Sequence, residues 1–294
     1  MPPFGEVLTA MVTPMREDGA VDFEKAKKLA LHLVENGSDG VVVAGTTGES
    51  PTLSAEEKLE LFRAVVEAIG GRAKVIAGTG TYNTTESVRL TREAEAAGVD
   101  GVMAVVPYYN KPPQEGLYRH FRAIAEATSL PVMLYNVPSR TSRNLEAETV
   151  ARLAELPNVV ALKEAAGDMD QLTRIVQSTP DSFAVYSGED SLTLPMLALG
   201  AVGVVSVASH VVGSEIREMI RAFKAGEHAR AAELHRRLTP VFKALFVTTN
   251  PIPVKWGMSL LGMDMGPVRL PLTEPSPAEK KQIEEAFRRV GLIV

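Results

Sequence analysis

Gly98-Val99-Asp100-Gly101-Val102 joins the end of an amphipathic segment to a run of apolar residues. The same Gly-x-x-Gly-Val form recurs at Gly37-Ser38-Asp39-Gly40-Val41 and at Gly200-Ala201-Val202-Gly203-Val204. Glycine commonly ends a helix, because it adopts the left-handed conformation without steric strain. A short β-branched run between turn residues is typical of a buried parallel strand. The three stretches therefore indicate one helix-to-strand joint that is used repeatedly.

Eight such units follow one another before residue 226. The predicted strands are Val7–Val12, Gly40–Ala44, Lys74–Ala77, Gly101–Val106, Pro131–Tyr135, Asn158–Glu164, Phe183–Tyr186 and Val202–Ser206. Between them, Asp22 and Asn83 can cap helices, and Ser54-Ala55-Glu56-Glu57 forms a capping box. Eight strands that alternate with helices predict an α/β fold, a (β/α)8 TIM barrel. A doubly wound sheet is the alternative, although it usually has fewer repeats.

The strand pattern stops near Gly226, and the rest of the sequence has helical periodicity. The predicted helices are Ala229–Leu238, Val241–Phe246, Ile252–Leu261 and Ala278–Val290. The last of these begins with a cap, a proline and a glutamate in Ser276-Pro277-Ala278-Glu279. We therefore expect a barrel domain over residues 1–225 and a C-terminal helical domain over residues 226–294. The apolar side chains of Val241–Phe246 could pack on the barrel or on another subunit.

The composition excludes several classes of function. The chain has no cysteine, so disulfides, thiolate catalysis and cysteine-ligated metal sites are absent. Its net charge of −5 argues against a nucleic-acid partner, which would require a basic face. No apolar run approaches the roughly 20 residues of a membrane helix, and the first residues lack the basic and apolar regions of a signal peptide. We expect a cytoplasmic protein without membrane or nucleic-acid partners.

Metal and nucleotide sites have no support in the sequence. The five histidines are scattered without metal-ligand spacing: His32, His120, His210, His228 and His235. Gly78-Thr79-Gly80 lacks the third glycine of a dinucleotide-binding fingerprint, and no phosphate-binding glycine-rich loop occurs. A serine nucleophile has no motif either. The sequence therefore predicts neither a metal site nor a nucleotide cofactor.

The sixth predicted strand, Asn158–Glu164, runs into a lysine. Burial of Lys163 where this strand ends would disfavour the ammonium form and lower the pKa of the amine. A neutral amine is a nucleophile toward carbonyl groups, which is the usual route to Schiff-base chemistry. The alternative is an ordinary lysine that reaches water or pairs with Glu164.

The carboxyl ends of the strands of such a barrel form one rim, where active sites are built. The residues expected there with Lys163 are Thr46, Thr47, Tyr108, Tyr109, Tyr135, Asn136, Arg140, Gly188, Val205 and Ser206. Phenol and threonine hydroxyls can relay the protons that imine formation requires. Arg140 suits a substrate carboxylate, because its guanidinium binds both oxygens. Taken singly, Tyr135 could be a strand aromatic, Thr46-Thr47 a turn cap and Arg140 a surface ion pair.

Four stretches together resemble one known family. They are Gly45-Thr46-Thr47-Gly48-Glu49, Tyr135-Asn136-Val137-Pro138-Ser139-Arg140-Thr141, Lys163-Glu164 and Asn250-Pro251-Ile252-Pro253-Val254-Lys255. From Gly5 to Gly291 the chain resembles the dihydrodipicolinate synthase family, which belongs to the pyruvate-dependent class I aldolases with N-acetylneuraminate lyase. The resemblance implies a Schiff-base condensation of pyruvate with L-aspartate 4-semialdehyde to 4-hydroxy-tetrahydrodipicolinate, in lysine and diaminopimelate biosynthesis.

The resemblance also implies how the protons move. Lys163 would form the imine with pyruvate, and Tyr135 would donate and accept protons. Thr46 and Tyr109 would complete a hydroxyl relay, and Tyr109 would enter from the neighbouring subunit. Family members are mostly homotetramers that use no metal or organic cofactor, so we expect a homotetramer, a dimer of dimers, whose covalent imine forms with the substrate itself.

Substrate contacts follow from the same resemblance. Thr47 and Val205 would hold pyruvate, Gly188 would line its pocket, and Arg140 would bind the carboxylate of L-aspartate 4-semialdehyde. Sialic-acid lyases typically have Ser-Thr in place of Thr46-Thr47 and lack this arginine. Two alternatives stay open: an aldolase for 2-keto-3-deoxy sugar acids or N-acetylneuraminate that uses the same lysine, and a non-catalytic barrel that binds small acids.

A candidate allosteric region departs from the family pattern. Its residues are Ser50, Ala55, Lys58, Tyr82, Glu86 and Tyr108. Lysine-inhibited members often have histidines at the positions of Ala55 and Lys58 and an asparagine at that of Tyr82. The other three residues are compatible with a lysine site. The resemblance therefore leaves open whether L-lysine inhibits.

Overall fold

A computed structural model describes residues 2–294. They contain a closed barrel of eight parallel strands, in which each strand pairs with the next in sequence and the last pairs with the first. Met1, the first residue of the predicted barrel domain, lies outside the described residues. The strands are β1 Val7–Ala10, β2 Gly40–Val43, β3 Lys74–Gly78, β4 Gly101–Val105, β5 Val132–Asn136, β6 Val159–Glu164, β7 Ala184–Ser187 and β8 Gly203–Ser206. The predicted (β/α)8 fold is confirmed, and the doubly wound sheet is excluded.

Helices surround the barrel and continue beyond it. They are α1 Phe23–Glu35, α2 Ala55–Ile69, α3 Thr84–Ala96, α4 Gln114–Ala125, α5 Pro138–Thr141, α6 Ala147–Ala154, α7 Met169–Ser178, α8 Thr193–Ala198, α9 Ser209–Lys224, α10 His228–Ala244, α11 Ile252–Leu260 and α12 Pro277–Val290. Within residues 2–294, no helix combines the length and the apolar character that a membrane crossing requires.

Capping residues start several helices where the sequence predicts them. Asp22 caps α1 by accepting a backbone hydrogen bond from the first turn. Ser54 and Glu57 form the capping box of α2, and Ser276 and Glu279 form that of α12. These side chains satisfy N–H groups that have no partner inside the helix.

Two helices differ from the prediction. α10 continues through Pro240, where the sequence predicts two helices. Proline removes one backbone hydrogen bond, but buried apolar side chains on both sides of it pack against the core and hold the helix together. The sequence predicts the helix after the eighth strand over Glu215–Ala225, whereas α9 begins at Ser209 and has a kink with non-helical backbone angles at Val212. Its start was not predicted because Asp190, which accepts backbone hydrogen bonds just before it, comes from another loop.

The apolar segment that follows Pro240 packs mainly within the subunit. Val241, Phe242 and Leu245 are buried in the core that includes the helices around the barrel. Phe246 is 39% exposed. Most of this apolar surface is therefore already covered in a single chain, and only its last side chain is available to another subunit.

Alternate residues of each strand face the barrel interior or the surrounding helices. The interior is filled by apolar side chains that include Leu8, Val42, Ile76, Met133 and Tyr186. A larger apolar layer lies between the strands and the helices. The site residues therefore extend from the C-terminal end of a packed core rather than from an open channel.

Candidate active site

Lys163 lies at the C-terminal end of β6, inside the mouth of the barrel. It is 5% exposed, and its Nζ lies 4.2 Å from the centroid of the Tyr135 ring. The two residues are partners in the β5–β6 register, so their side chains leave the sheet on the same face and at the same height. The amine therefore lies against an aromatic face, without a direct ion pair among residues 2–294.

Burial decides the protonation of this pair. Desolvation lowers the pKa of Lys163 to about 8, the charge of Arg140 acts in the same direction, and the charge of Asp190 opposes it. Desolvation also raises the pKa of the Tyr135 phenol, against the effects of Arg140 and the Thr46 side chain. A neutral nucleophilic amine is thus accessible at mildly alkaline pH, next to a phenol that still carries its proton.

A cavity of about 190 Å³ adjoins Tyr135 at the C-terminal end of the barrel. Five of the predicted site and allosteric residues line it: Thr46, Ser50, Tyr108, Tyr135 and Arg140. Arg140 is the cation among them. It lies in α5, is exposed, and its Nη2 is 3.4 Å from the carbonyl oxygen of Asn250. This arrangement offers a small acid a guanidinium near the mouth and hydroxyl groups farther in.

The other predicted substrate-binding residues lie around the lysine and deeper in the barrel. The Thr47 hydroxyl is buried and accepts a hydrogen bond of 2.9 Å from Nδ2 of Asn250. A Cβ at Gly188 would lie 3.2 Å from Cγ of Lys163 and 2.7 Å from a neighbouring Cβ, so a side chain there would displace the lysine stem. Val205 is buried in the barrel interior, in the same apolar cluster as the tyrosine of the site.

Tyr109 does not join this cavity within one subunit. Its side chain is 91% exposed, and its φ of +73° lies in the left-handed region that non-glycine residues rarely adopt. Its neighbour Tyr108 lines the cavity and packs edge-on against Tyr82, with ring centroids 5.2 Å apart. An exposed aromatic held in a strained conformation is a feature that clusters at functional contacts.

The residues of the candidate allosteric region are spread over the cavity wall, α2, the loop that carries Tyr82 and α3, which carries Glu86. Ser50 and Tyr108 line the wall. Lys58 is buried on α2, where desolvation lowers the pKa of its amine and the charge of Glu86 opposes this effect. Ala55, the first residue of the same helix, contributes no polar side-chain atom.

Glu164, the residue after the lysine, belongs to the other face of β6. Its carboxylate accepts hydrogen bonds from Nδ2 of Asn136 at 3.1 Å, from the backbone N–H of Ala166 at 2.7 Å and from Nε2 of Gln171 at 3.3 Å. Burial raises the pKa of this carboxyl group, and these donors oppose the rise. The pairing of Lys163 with Glu164 that the sequence allowed is therefore absent.

The comparison with known families agrees with this geometry. The model of the Dihydrodipicolinate synthetase family matches residues 3–289. The chain belongs to this family. A 4-hydroxy-tetrahydrodipicolinate synthase of Moorella thermoacetica is 58% identical to it over 290 residues, which are 99% of each chain.

Solved structures give the same assignment. The structure of DHDPS from Cyanidioschyzon merolae with lysine bound is 51% identical, covers 100% of both chains and superposes with a TM-score of 0.98. A dihydrodipicolinate synthase of Bacillus anthracis is 52% identical over 98% of this chain and 99% of that one, with a TM-score of 0.96. The predicted family resemblance is confirmed over essentially the whole chain.

One buried carboxylate near the lysine is missing from the predicted site. Asp190 is 3% exposed and accepts backbone hydrogen bonds from Val207 at 3.0 Å and Ala208 at 2.9 Å. The Ser206 hydroxyl donates to its other oxygen. In the sequence, Asp190 is a carboxylate just after the seventh predicted strand. Its contacts with residues just after the eighth strand could not be predicted from the spacing of residues along the chain.

A buried ion pair connects the C-terminal segment to the loop that carries Thr46. Oε1 of Glu49 lies 2.7 Å from Nζ of Lys255, and their side chains are 1% and 5% exposed. The other oxygen of Glu49 accepts from the backbone N–H of Arg269 at 2.8 Å, and Lys255 donates to the carbonyl of Pro267 at 2.8 Å. Both members of the pair lie in the recognised motifs, but the sequence did not reveal that they meet.

Proposed function

We propose that this protein condenses pyruvate with L-aspartate 4-semialdehyde through an imine on Lys163, and forms 4-hydroxy-tetrahydrodipicolinate for lysine and diaminopimelate biosynthesis. The observation that carries the proposal is the buried amine 4.2 Å from the centroid of the Tyr135 ring. Membership of the dihydrodipicolinate synthetase family supports the same reaction. Arg140 in the cavity wall supports a second substrate that bears a carboxylate.

The chemistry begins with the neutral amine of Lys163, which attacks the keto carbon of pyruvate. The carbinolamine takes up a proton at its hydroxyl group and loses one water, which leaves a protonated imine. Removal of a proton from the methyl carbon gives the enamine, and this carbon attacks the aldehyde of the second substrate. The amine of that substrate then adds to the imine carbon, closes the ring and releases Lys163.

Hydroxyl groups would carry the protons in these steps. The phenol of Tyr135 is the proposed donor and acceptor, because it lies against the amine and burial keeps it protonated. Thr46 lines the same cavity and would pass protons to it. We propose that Tyr109 completes the relay in a neighbouring subunit, because its side chain is 91% exposed. Removal of its hydroxyl group by Tyr109→Phe should reduce kcat without preventing imine formation.

Pyruvate would occupy the space around Lys163. Gly188 leaves room for the lysine stem, Thr47 offers a buried hydroxyl, and Val205 supplies an apolar wall. Arg140, nearer the mouth, would bind the carboxylate of L-aspartate 4-semialdehyde. No metal or organic cofactor is needed in this scheme, because the covalent intermediate forms on the substrate.

We propose a cytoplasmic homotetramer, a dimer of dimers, whose chain is divided into a barrel domain of residues 1–225 and a C-terminal helical domain of residues 226–294. If Tyr109 acts in the neighbouring subunit, activity should fall when the assembly is diluted into monomers. Sedimentation velocity and activity measured at the same concentrations would test this. A fully active monomer would contradict the proposal.

We further propose that L-lysine inhibits this protein weakly. The structure of a relative from Cyanidioschyzon merolae holds lysine. In this protein the side-chain amine of Lys58 lies in the candidate allosteric region, on the same helix as the apolar Ala55. A bound lysine ammonium would be repelled by that charge. Lysine titrations of the wild type and of Lys58→His should give tighter inhibition in the variant, and equal inhibition would contradict the proposal.

The competing aldolase activity is tested by the choice of second substrate. Assays with L-aspartate 4-semialdehyde, a 2-keto-3-deoxy sugar acid and N-acetylneuraminate should give turnover with the first. Arg140→Ala should lower kcat/KM for the semialdehyde by roughly 100-fold, as expected for loss of a charge-assisted pair, while pyruvate still forms its imine. Arg140→Lys keeps the charge but not the bidentate geometry and is the matched control. Wild-type kcat/KM in Arg140→Ala would contradict the role of this arginine.

A further inference from the structure

Both oxygens of the Asp190 carboxylate are held by hydrogen bonds at the C-terminal end of β8. One oxygen accepts from the backbone N–H groups of Val207 and Ala208, and the other accepts from Ser206. The Ser206 oxygen itself accepts from the backbone N–H of Ser209 at 2.8 Å, so its proton is directed to the carboxylate. Burial raises the pKa of this carboxyl group, and the three donors that converge on it oppose the rise.

This anion has no direct ion-pair partner among residues 2–294, although it is 3% exposed. It follows β7 by three residues, and the β6–β7 register places Lys163 beside Tyr186 of that strand. Burial raises the pKa of the Asp190 carboxyl group, and the charge of Lys163 opposes this rise. The charge of Asp190 in turn opposes the lowering of the Lys163 pKa by burial. A buried anion without a direct cation is costly for the fold. Gly188, two residues before this carboxylate, lies against the stem of Lys163, since an added Cβ there would be 3.2 Å from Cγ of the lysine.

We propose that Asp190 is the counter-charge of the protonated imine on Lys163, and so a positioning residue for the reaction. This inference rests on the proposed function. When the neutral amine adds to the keto carbon and water leaves, a positive charge develops on a nitrogen that has little access to solvent. A fixed anion nearby stabilises that charge by Coulomb attraction without taking up or releasing a proton itself.

Several other groups face the same amine and contribute to its titration. Arg140 adds a positive charge from α5, and Tyr135 adds a neutral phenol from β5. Glu189, adjacent to Asp190, is half-buried; burial raises the pKa of its carboxyl group, and the charge of Asp190 acts in the same direction. The charge of Glu189 raises the pKa of the Tyr135 phenol. Glu164 lies on the other face of β6 and is engaged there. The carboxylate whose charge acts directly on Lys163 is Asp190.

Asp190→Asn removes the charge and keeps the shape. The amide oxygen can accept from the two backbone N–H groups, and the amide nitrogen can donate to Ser206, so the loop can remain anchored. Loss of the anion should destabilise both the ammonium and the protonated imine. We expect the acid limb of the kcat/KM profile to move to lower pH by about one unit. At a pH above the pKa of the free amine, the pyruvate concentration for half-maximal borohydride trapping should rise roughly tenfold.

Ser206→Ala is the matched control, because it deletes one anchoring hydrogen bond and retains the charge. If Asp190 only holds the loop, Ser206→Ala and Asp190→Asn should both affect thermal stability and leave the acid limb and the trapping concentration unchanged; that result would overturn the proposal. Failure of the wild type to form a pyruvate adduct would instead refute the proposed function. A change of the acid limb confined to Asp190→Asn supports the counter-charge.

The wild-type protein provides a second test if Asp190→Asn fails to fold. Infrared difference spectra with and without pyruvate, recorded on protein with 13C-labelled aspartate carboxyl groups and on Ser206→Ala, would report the ionisation of this residue. We expect an ionised carboxylate in the pyruvate-bound state, with a band that changes when Ser206 is removed. A protonated carboxyl band with the same sensitivity to Ser206 would overturn the proposal.

Discussion

Two lysines of this protein are equally buried and have opposite surroundings. Lys163 at the end of β6 and Lys255 in α11 are both 5% exposed. The amine of Lys255 lies 2.7 Å from the carboxylate of Glu49 and donates to a backbone carbonyl at 2.8 Å. The amine of Lys163 lies against the Tyr135 ring instead. Burial alone therefore does not make a lysine reactive; the surroundings of its nitrogen do.

The energetic reason is the balance between desolvation and pairing. Burial lowers the pKa of both amines, and in Lys255 the adjacent Glu49 opposes this effect directly. A buried ion pair with good geometry recovers much of its desolvation penalty, so Lys255 serves to hold the C-terminal segment on the loop after β2. Lys163 has no such direct ion pair; the charge of Asp190 opposes the effect of burial only in part, and the pKa is about 8.

The largest expected effect is the loss of the nucleophile. Lys163→Met should lower kcat by on the order of 10⁴-fold or more, because the covalent route is removed entirely. No pyruvate adduct should be trapped by borohydride in this variant. Lys255→Met is the matched control and should still form the adduct wherever it is folded. Appreciable turnover in Lys163→Met would show that the chemistry does not pass through this amine.

The next effect concerns stability. Lys255→Met leaves the buried carboxylate of Glu49 without its partner, which should destabilise the protein by about 3–5 kcal/mol. Thermal unfolding would measure this as a lower Tm. The double variant Glu49→Gln with Lys255→Met removes both charges and should recover part of the loss. An unchanged Tm in the single variant would mean that the ion pair does not hold the C-terminal segment in place.

Tyr135 and Tyr186 flank Lys163 in the strand register. Their phenylalanine variants distinguish the contribution of a phenol hydroxyl from that of the aromatic ring. Tyr186 donates its hydroxyl to the carbonyl of Gly5 at 2.8 Å, toward the other end of the barrel. Tyr135→Phe keeps the ring against the amine, so trapping should persist while kcat falls by roughly 10²–10³-fold. Tyr186→Phe should lower stability and spare the proton transfers. Equal losses of kcat in the two variants would argue against proton relay by Tyr135.

The smallest effect is a gain in stability that accompanies lost activity. Because the folded-state pKa of Lys163 lies below its ordinary value of 10.5, the unfolded chain binds the proton more tightly, and this disfavours folding at pH 7. Lys163→Met should therefore raise Tm at pH 7 by roughly 5–10 °C. The penalty is relieved as pH rises from about 8 toward 10.5, so the gain should shrink there. A gain independent of pH would indicate a packing effect instead.

The sequence predicted the barrel because its signals are local and repeated. Glycine joints, capping residues such as Asp22 and Ser54, and short apolar runs each report on their own neighbourhood. The position of Lys163 beside Tyr135 followed from the order of the strands, since consecutive parallel strands lie side by side. These features needed no information about distant contacts.

Features that depend on distant contacts were not predicted. Asp190 was not predicted as a site residue, because its hydrogen bonds with residues after β8 connect two loops that are separate in the sequence. The ion pair between Glu49 and Lys255 joins residues that are far apart in the chain. The sequence predicted that Pro240 would divide α10, because proline disfavours a helix interior. Tertiary packing overrides this local preference, and a short stretch of sequence does not show such packing. Long-range packing and charge are thus what the structure adds.

The most direct test of the account is pyruvate trapping on the wild-type protein, followed by peptide mapping. Borohydride reduction in the presence of pyruvate should add one reduced pyruvate to the peptide that contains Lys163 and none to the peptide that contains Lys255. Omission of pyruvate should leave both peptides unmodified. Label on Lys255, or no label on Lys163 at saturating pyruvate and pH 8, would contradict the claim that the unpaired buried amine is the reactive one.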